Sequence, residues 1–165
     1  MILGLYGDSG CGKSTVASML SDEYTIFTFC TQVRKLVAKE FPNAPANYLE
    51  DDTYHIEPDK TWESSSGFHQ ALLEVTKEDR QKAFNKSIEI LKELDGKIVI
   101  PDVRTQEEYY YLYFNPDAFM CRIYKENCYR RKSSMDGLLD DKPFDYHIEN
   151  NGTLEDLETA VKYIR

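Results

Sequence analysis

Residues 7–14 read GDSGCGKS and follow the apolar run MILGLY at residues 1–6. Gly7, Gly12, Lys13 and Ser14 fill every fixed position of the pattern G-x-x-x-x-G-K-[ST]. Glycines at these points allow backbone torsions that turn successive N–H groups toward a common centre, where an anion can sit. A lysine after the second glycine reaches the β- and γ-phosphates of a nucleoside triphosphate, and the following hydroxyl ligates Mg²⁺. Gly7, Asp8, Ser9, Gly10, Cys11, Gly12, Lys13, Ser14 and Thr15 are therefore the expected phosphate cradle. The competing reading, a glycine-rich turn with no ligand, does not explain why a strand pattern precedes the loop and a helical one follows.

Working outward, residues 1–6 predict a buried strand and 13–22 an amphipathic helix. Residues 24–29 (YTIFTF), 97–102 (KIVIPD), 118–124 (AFMCRIY) and 144–150 (FDYHIEN) predict four further strands. Helical spacing recurs at 31–41, with Thr31 as N-cap, and at 67–76, 78–94 and 105–114, with Thr105 as cap. The closing stretch NGTLEDLETAVKYI carries Thr153 as N-cap with Asp156 in the third position. Between Pro42 and Ser66 the periodicity fails, and a loop that long is expected to be functional. Strands alternating with helices predict an α/β fold: a central parallel sheet of about five strands with helices on both faces. The expected organisation is one domain over 1–165, with an acceptor-binding insert at about 31–95 and a lid at about 125–143.

Composition narrows the function. A formal net charge of −9 argues against a broad duplex-binding surface, because sequence-independent nucleic-acid affinity comes from Lys and Arg on phosphates. The four cysteines, at 11, 30, 121 and 128, have no C-x-x-C spacing, so reduced thiols in the cytoplasm are expected and a zinc site is not. No stretch approaches the ~20 apolar residues of a membrane span.

The loop alone serves switches, motors and small-molecule kinases alike, so other residues must choose among them. Asp102, at the carboxyl end of the third expected strand, stands where α/β sheets bind ligands and could hold the metal's hydration shell. Arg104, two residues on, can grip an acceptor phosphate. Arg130 and Arg131, with Lys132, precede a Ser-Ser and Gly stretch that reads as a flap closing over phosphates. Arg34 and Arg80 are both candidates for the acceptor phosphate, and Trp62 for contact with a base. Each has a structural alternative: a turn aspartate, solvated arginines, a packed tryptophan. His55, His69 and His147 are read as structural or surface groups, because a phosphate acceptor is already anionic and needs no base. No Asn-Lys-x-Asp guanine reader occurs; the one Asn-Lys, at 85–86, continues Ser-Ile.

The segments YGDSGCGKSTVASML, FTFCTQVRKLVAKEF, VIPDVRTQEE and FDYHIENNGTLEDLETAV, in this order, resemble those of the phage-type deoxynucleoside monophosphate kinases. That resemblance implies a P-loop kinase fold and ATP- and Mg²⁺-dependent phosphorylation of a nucleoside monophosphate. It implies that Lys13 and Ser14 serve ATP and magnesium, that Arg34 stands where the family often has a lysine, that Asp102 and Arg104 are the family's Asp-Val-Arg pair, and that Asn150, Asn151 and Gly152 border the adenine. On the reading of the residues, Lys13, Arg104, Arg130 and Arg131 are expected to neutralise charge on the transferring group, with Ser14 and Asp102 serving the metal. A homodimer is one expected assembly. The sequence departs from the family at Thr31, where an acid is usual, at the lid, which reads SSMDGLLDD, and between Pro42 and Arg80. A dephospho-coenzyme A kinase-like enzyme shares the terminal NNGTLEDL and is the alternative; a nucleotide-binding protein without acceptor chemistry is the other.

Overall fold

The first strand ends where the glycine loop begins. In the computed structural model, which describes residues 1–50, 56–128 and 137–164, the chain runs β1 (Ile2–Tyr6), α1 (Lys13–Met19), β2 (Thr25–Ile26), α2 (Cys30–Ala38), a 3-10 turn (Ala46–Tyr48), α3 (Lys60–Ser65), α4 (Phe68–Glu74) and α5 (Lys77–Glu93). It continues through β3 (Ile98–Ile100), α6 (Gln106–Tyr113), β4 (Ala118–Tyr124), β5 (Tyr146–Glu149) and α7 (Leu154–Lys162). Two compact units result: Met1–Ile26 with Asp95–Arg165, and Phe27–Leu94.

The first unit holds a five-stranded sheet of order β2-β3-β1-β4-β5, in which each neighbouring pair runs parallel. Gly4 pairs with Ile100 on one side and Met120 on the other, so β1 sits at the centre. Loops leaving β1 and β3 therefore emerge on one edge, the edge at which such sheets bind ligands. Leu3, Leu5, Val16, Leu20, Val99, Ile123, Leu157 and Val161 form the core between sheet and helices. The cap expected at Thr105 and the capping box expected at Thr153 both form, each as a full capping box, the threonine side chains accepting from the N–H groups of Glu108 and Asp156 at 3.2 Å. Asp145 locks β5 to β4 by exchanging bonds with Met120: its carboxylate accepts from the Met120 N–H at 2.8 Å, and its own N–H donates to the Met120 carbonyl at 2.9 Å.

The second unit is helical. Val37, Ala38, Tyr48, Ile56 and Phe68 are buried together, with Phe41, Trp62 and Leu72 packed against them. Three expectations are corrected. The strand expected at 24–29 is only Thr25–Ile26, because Phe27 and Phe29 are drawn into the second unit, where their rings meet at 5.7 Å. Thr31 does not cap α2. That helix begins at Cys30 with Phe29 at the cap position, and the Thr31 hydroxyl faces that of Thr28 at 2.5 Å inside the unit. The stretch expected to be a loop contains α3, which Asp59 starts by accepting from the Trp62 N–H at 3.0 Å.

Candidate functional site

Gly7 and Gly12 show why the loop needs glycine. Gly7 has φ +151°, and a Cβ there would lie 2.2 Å from the Ile123 carbonyl oxygen. Gly12 has φ +111°, and its Cβ would lie 2.5 Å from Asn150 Nδ2. Both positions combine a positive φ with a close neighbour, so any side chain would push the loop off its seat. Lys13 Nζ donates to the carbonyls of Gly7 at 2.6 Å and Asp8 at 2.9 Å, and lies 3.8 Å from Cys11 Sγ. The lysine charge is thus held over the loop rather than out in solvent. Ser9, Gly10, Ser14 and Thr15 are exposed, while Cys11 is buried and burial pushes its thiol up.

Side chains from neighbouring strands converge on this loop. Asn150, buried at the end of β5, donates Nδ2–H to the Cys11 carbonyl at 2.8 Å, and its own N–H bonds the Tyr124 carbonyl at 2.7 Å. Asn151 Oδ1 accepts the Glu126 N–H at 2.7 Å, and Gly152 is exposed. Arg122, which sequence reasoning did not assign, lines a small cleft with Gly7, Asp8 and Lys125. Its guanidinium pairs with Asp140 at 2.8 Å, and the Tyr6 hydroxyl donates to the same carboxylate oxygen at 3.0 Å. Only its place on an otherwise apolar β4 would have marked it.

Asp102 leaves β3 at the loop's edge of the sheet and is buried, whereas Arg104 is exposed. The turn between them is fixed by Glu108, whose Oε2 accepts the N–H groups of Arg104 at 2.7 Å and Thr105 at 2.9 Å. Burial first, and then the neighbouring Asp102 carboxylate, push the Glu108 carboxyl up to about 7, against the lowering effect of those N–H bonds. Sequence reasoning missed Glu108, although the spacing T-x-x-E from Thr105 signals it.

The remaining candidates lie in the second unit or outside the described residues. Arg34 Nε donates to Glu63 Oε1 at 3.1 Å, and its NH1 group to Cys30 Sγ at 2.6 Å. The same Glu63 oxygen accepts the Tyr48 hydroxyl at 2.7 Å, and burial together with that bond pushes the tyrosine up to about 12. Trp62 packs its ring on Phe68, Tyr48 and Phe41 at centroid distances of 4.8, 5.0 and 6.0 Å. Arg80 donates to the carbonyls of Leu72 and Val75 at the end of α4. Arg130 and Arg131 lie outside the described residues, as do Tyr54 and His55. His69 and His147 are exposed. Among the described residues, no helix is long and apolar enough to cross a membrane.

No protein-family model matches the sequence, and no curated protein matches it. Solved structures do match the fold. A protein from Thermus thermophilus is 19% identical, with a TM-score of 0.54, the match covering 99% of this chain and 95% of that one. The dephospho-CoA kinase from Campylobacter jejuni is 16% identical, with a TM-score of 0.53, covering 99% and 93%. The expected architecture, a five-stranded parallel sheet flanked by helices, is the one this chain has, and it shares that fold with the Campylobacter kinase.

Proposed function

We propose that the chain is an ATP- and Mg²⁺-dependent kinase that phosphorylates a phosphate-bearing small molecule, a nucleoside monophosphate, deoxyribose being the expected sugar. The observation that carries this reading is the loop Gly7–Ser14: glycine at both strained positions, with Lys13 Nζ drawn onto its carbonyls at the carboxyl edge of the sheet. Ser14 and Asp102 offer a hydroxyl and a carboxylate, the hard oxygen donors that Mg²⁺ takes, and would hold the ion. Once bound, Mg²⁺ draws charge from the β- and γ-phosphates.

The acceptor's phosphate oxygen forms the new bond to the γ-phosphorus, and the bond to the β–γ bridging oxygen breaks with ADP leaving. Lys13, Arg104, Arg130 and Arg131 supply positive charge to the equatorial oxygens; positioning and electrostatics do the rest. Asn150, Asn151 and Gly152 are assigned to the adenine side. Arg34, oriented by its pair with Glu63, and Arg80, bound by the carbonyls ending α4, are both candidates for the acceptor-phosphate ligand. The packing of Trp62 among three aromatic rings supports a structural role for it over base stacking.

A second reading has one observation in its favour: a solved structure sharing the fold is named a dephospho-CoA kinase. ADP release from MgATP, measured with the four deoxynucleoside monophosphates, the ribonucleotides and dephospho-coenzyme A, separates the two. Stimulation by a nucleoside monophosphate is expected. Stimulation by dephospho-coenzyme A alone would replace the acceptor, and none by any acceptor would remove the kinase assignment.

A further inference from the structure

We infer that Asn150 has a second role, as a positioning residue that aims a phosphate-binding N–H of the glycine loop. The inference rests on the nucleotide reading of that loop. Asn150 Nδ2 lies 2.8 Å from the Cys11 carbonyl oxygen. A carbonyl can only accept, so the amide must present its N–H here. The Cys11 C=O and the Gly12 N–H belong to one planar trans peptide, in which they point in opposite directions. Fixing the carbonyl toward Asn150 therefore fixes the Gly12 N–H on the opposite side of the peptide, where it is offered to a phosphate oxygen. Gly12 is shaped to this neighbour, since any Cβ there would lie 2.5 Å from the Asn150 amide nitrogen. Asn150 is itself held: it is buried, and its own N–H bonds the Tyr124 carbonyl at 2.7 Å. The residue after it grips the Glu126 N–H at 2.7 Å, so the end of β5 braces both the loop and the chain leaving β4.

The test is the dissociation constant of MgADP for the full chain, by calorimetry, at pH 7.5 and at stepwise lower pH. Asn150→Asp keeps the shape but sets a carboxylate against the carbonyl. It is expected to weaken binding at pH 7.5 by about tenfold or more, the scale of a buried hydrogen bond to this loop lost with nothing in its place. As the pH falls and that carboxyl takes a proton, it can donate again, and the loss should shrink relative to wild type. Burial pushes the Cys11 thiol up, so it keeps its proton through this range. Asn150→Ala should weaken binding by up to about tenfold with no such recovery. A purely structural asparagine would lower the melting temperature but leave the dissociation constant and its pH profile alone. Should the aspartate variant fail to fold, the alanine variant decides. Wild-type affinity in the folded variants would overturn the positioning role while the nucleotide reading stood; absence of MgADP binding by the wild type would overturn both.

Discussion

Lys13 is where the proposed chemistry is most exposed to test. Its Nζ has two loop carbonyls within 2.9 Å, so the charge is already placed over the loop. Lys13→Met keeps most of the length and the apolar stem of the side chain and removes the charge. Turnover should fall by at least ~10³-fold, a loss of ~4 kcal/mol of transition-state stabilisation, while the far-UV circular dichroism stays that of wild type. A Lys13→Met protein with wild-type kcat would refute the role. Glu108 gives the pH prediction. Its folded carboxyl is raised to about 7 from an ordinary 4.5, so between those values the folded chain holds more protons than the unfolded one. Stability contributed by this group is complete below about 4.5 and is lost as pH rises through 7. Glu108→Gln keeps an oxygen for the two N–H groups and removes the charge, so the variant should be more stable than wild type at pH 8, by about 1–3 kcal/mol, with the gap closing toward pH 5. Urea titrations at both pH values, without Mg²⁺, measure it; an equal gap at both would sink the reading. The loop itself is legible in the sequence because every constrained position shows in residue type. Asn150 is harder, since neither spacing nor residue type says which backbone group its amide will meet.

Among elements, legibility follows the locality of the signal. Both capping boxes can be read because a threonine and an acid three residues on suffice. Thr31 misleads because a nearby partner, the Thr28 hydroxyl, outcompetes the cap. The helix α3 is hidden because three serines at its end and the prolines before it mask its Asp59 cap. That short helix matters, because it carries Glu63 to Arg34 and Tyr48. The pair is largely shielded, with side-chain exposures of 19% for Arg34 and 11% for Glu63. Removing one partner of a shielded pair leaves the other uncompensated, so Glu63→Ala should destabilise the unit by about 2–4 kcal/mol. Trp62 is the one tryptophan and packs 5.0 Å from the Tyr48 ring, so its fluorescence during urea unfolding reports the loss. On the acceptor reading, Glu63→Gln should also raise the acceptor KM several-fold by loosening Arg34, with the ATP KM unchanged. Equal acceptor KM in wild type and variant would separate Arg34 from acceptor binding and leave the stability result standing.

At the scale of the molecule, alternation of strand and helix is enough to foresee a parallel sheet, but not its order. Ile2 pairs with Ile98 on one side and Ala118 on the other, and no local pattern encodes which distant strands become neighbours. The same holds for charge. A chain of net charge −9 repels anions on average, and only the fold shows Arg122 and Lys125 lining, with Asp8 and Asp140, a cleft beside the loop whose carbonyls hold Lys13. The whole-molecule consequence is linkage between nucleotide and stability. A ligand that binds only the folded chain adds RT ln(1 + [L]/Kd), about 2.7 kcal/mol at a hundredfold excess over Kd. For a chain of this size that corresponds to a rise in melting temperature of roughly 5–10 °C. Circular dichroism melts with millimolar MgADP should show the rise for wild type. Lys13→Met, with its bonds to the loop gone, should show little of it at the same concentration. A wild-type midpoint that ignores MgADP would leave the fold intact and take away the nucleotide; a shift equal in both proteins would move the binding energy off Lys13 and onto the backbone N–H groups of the loop.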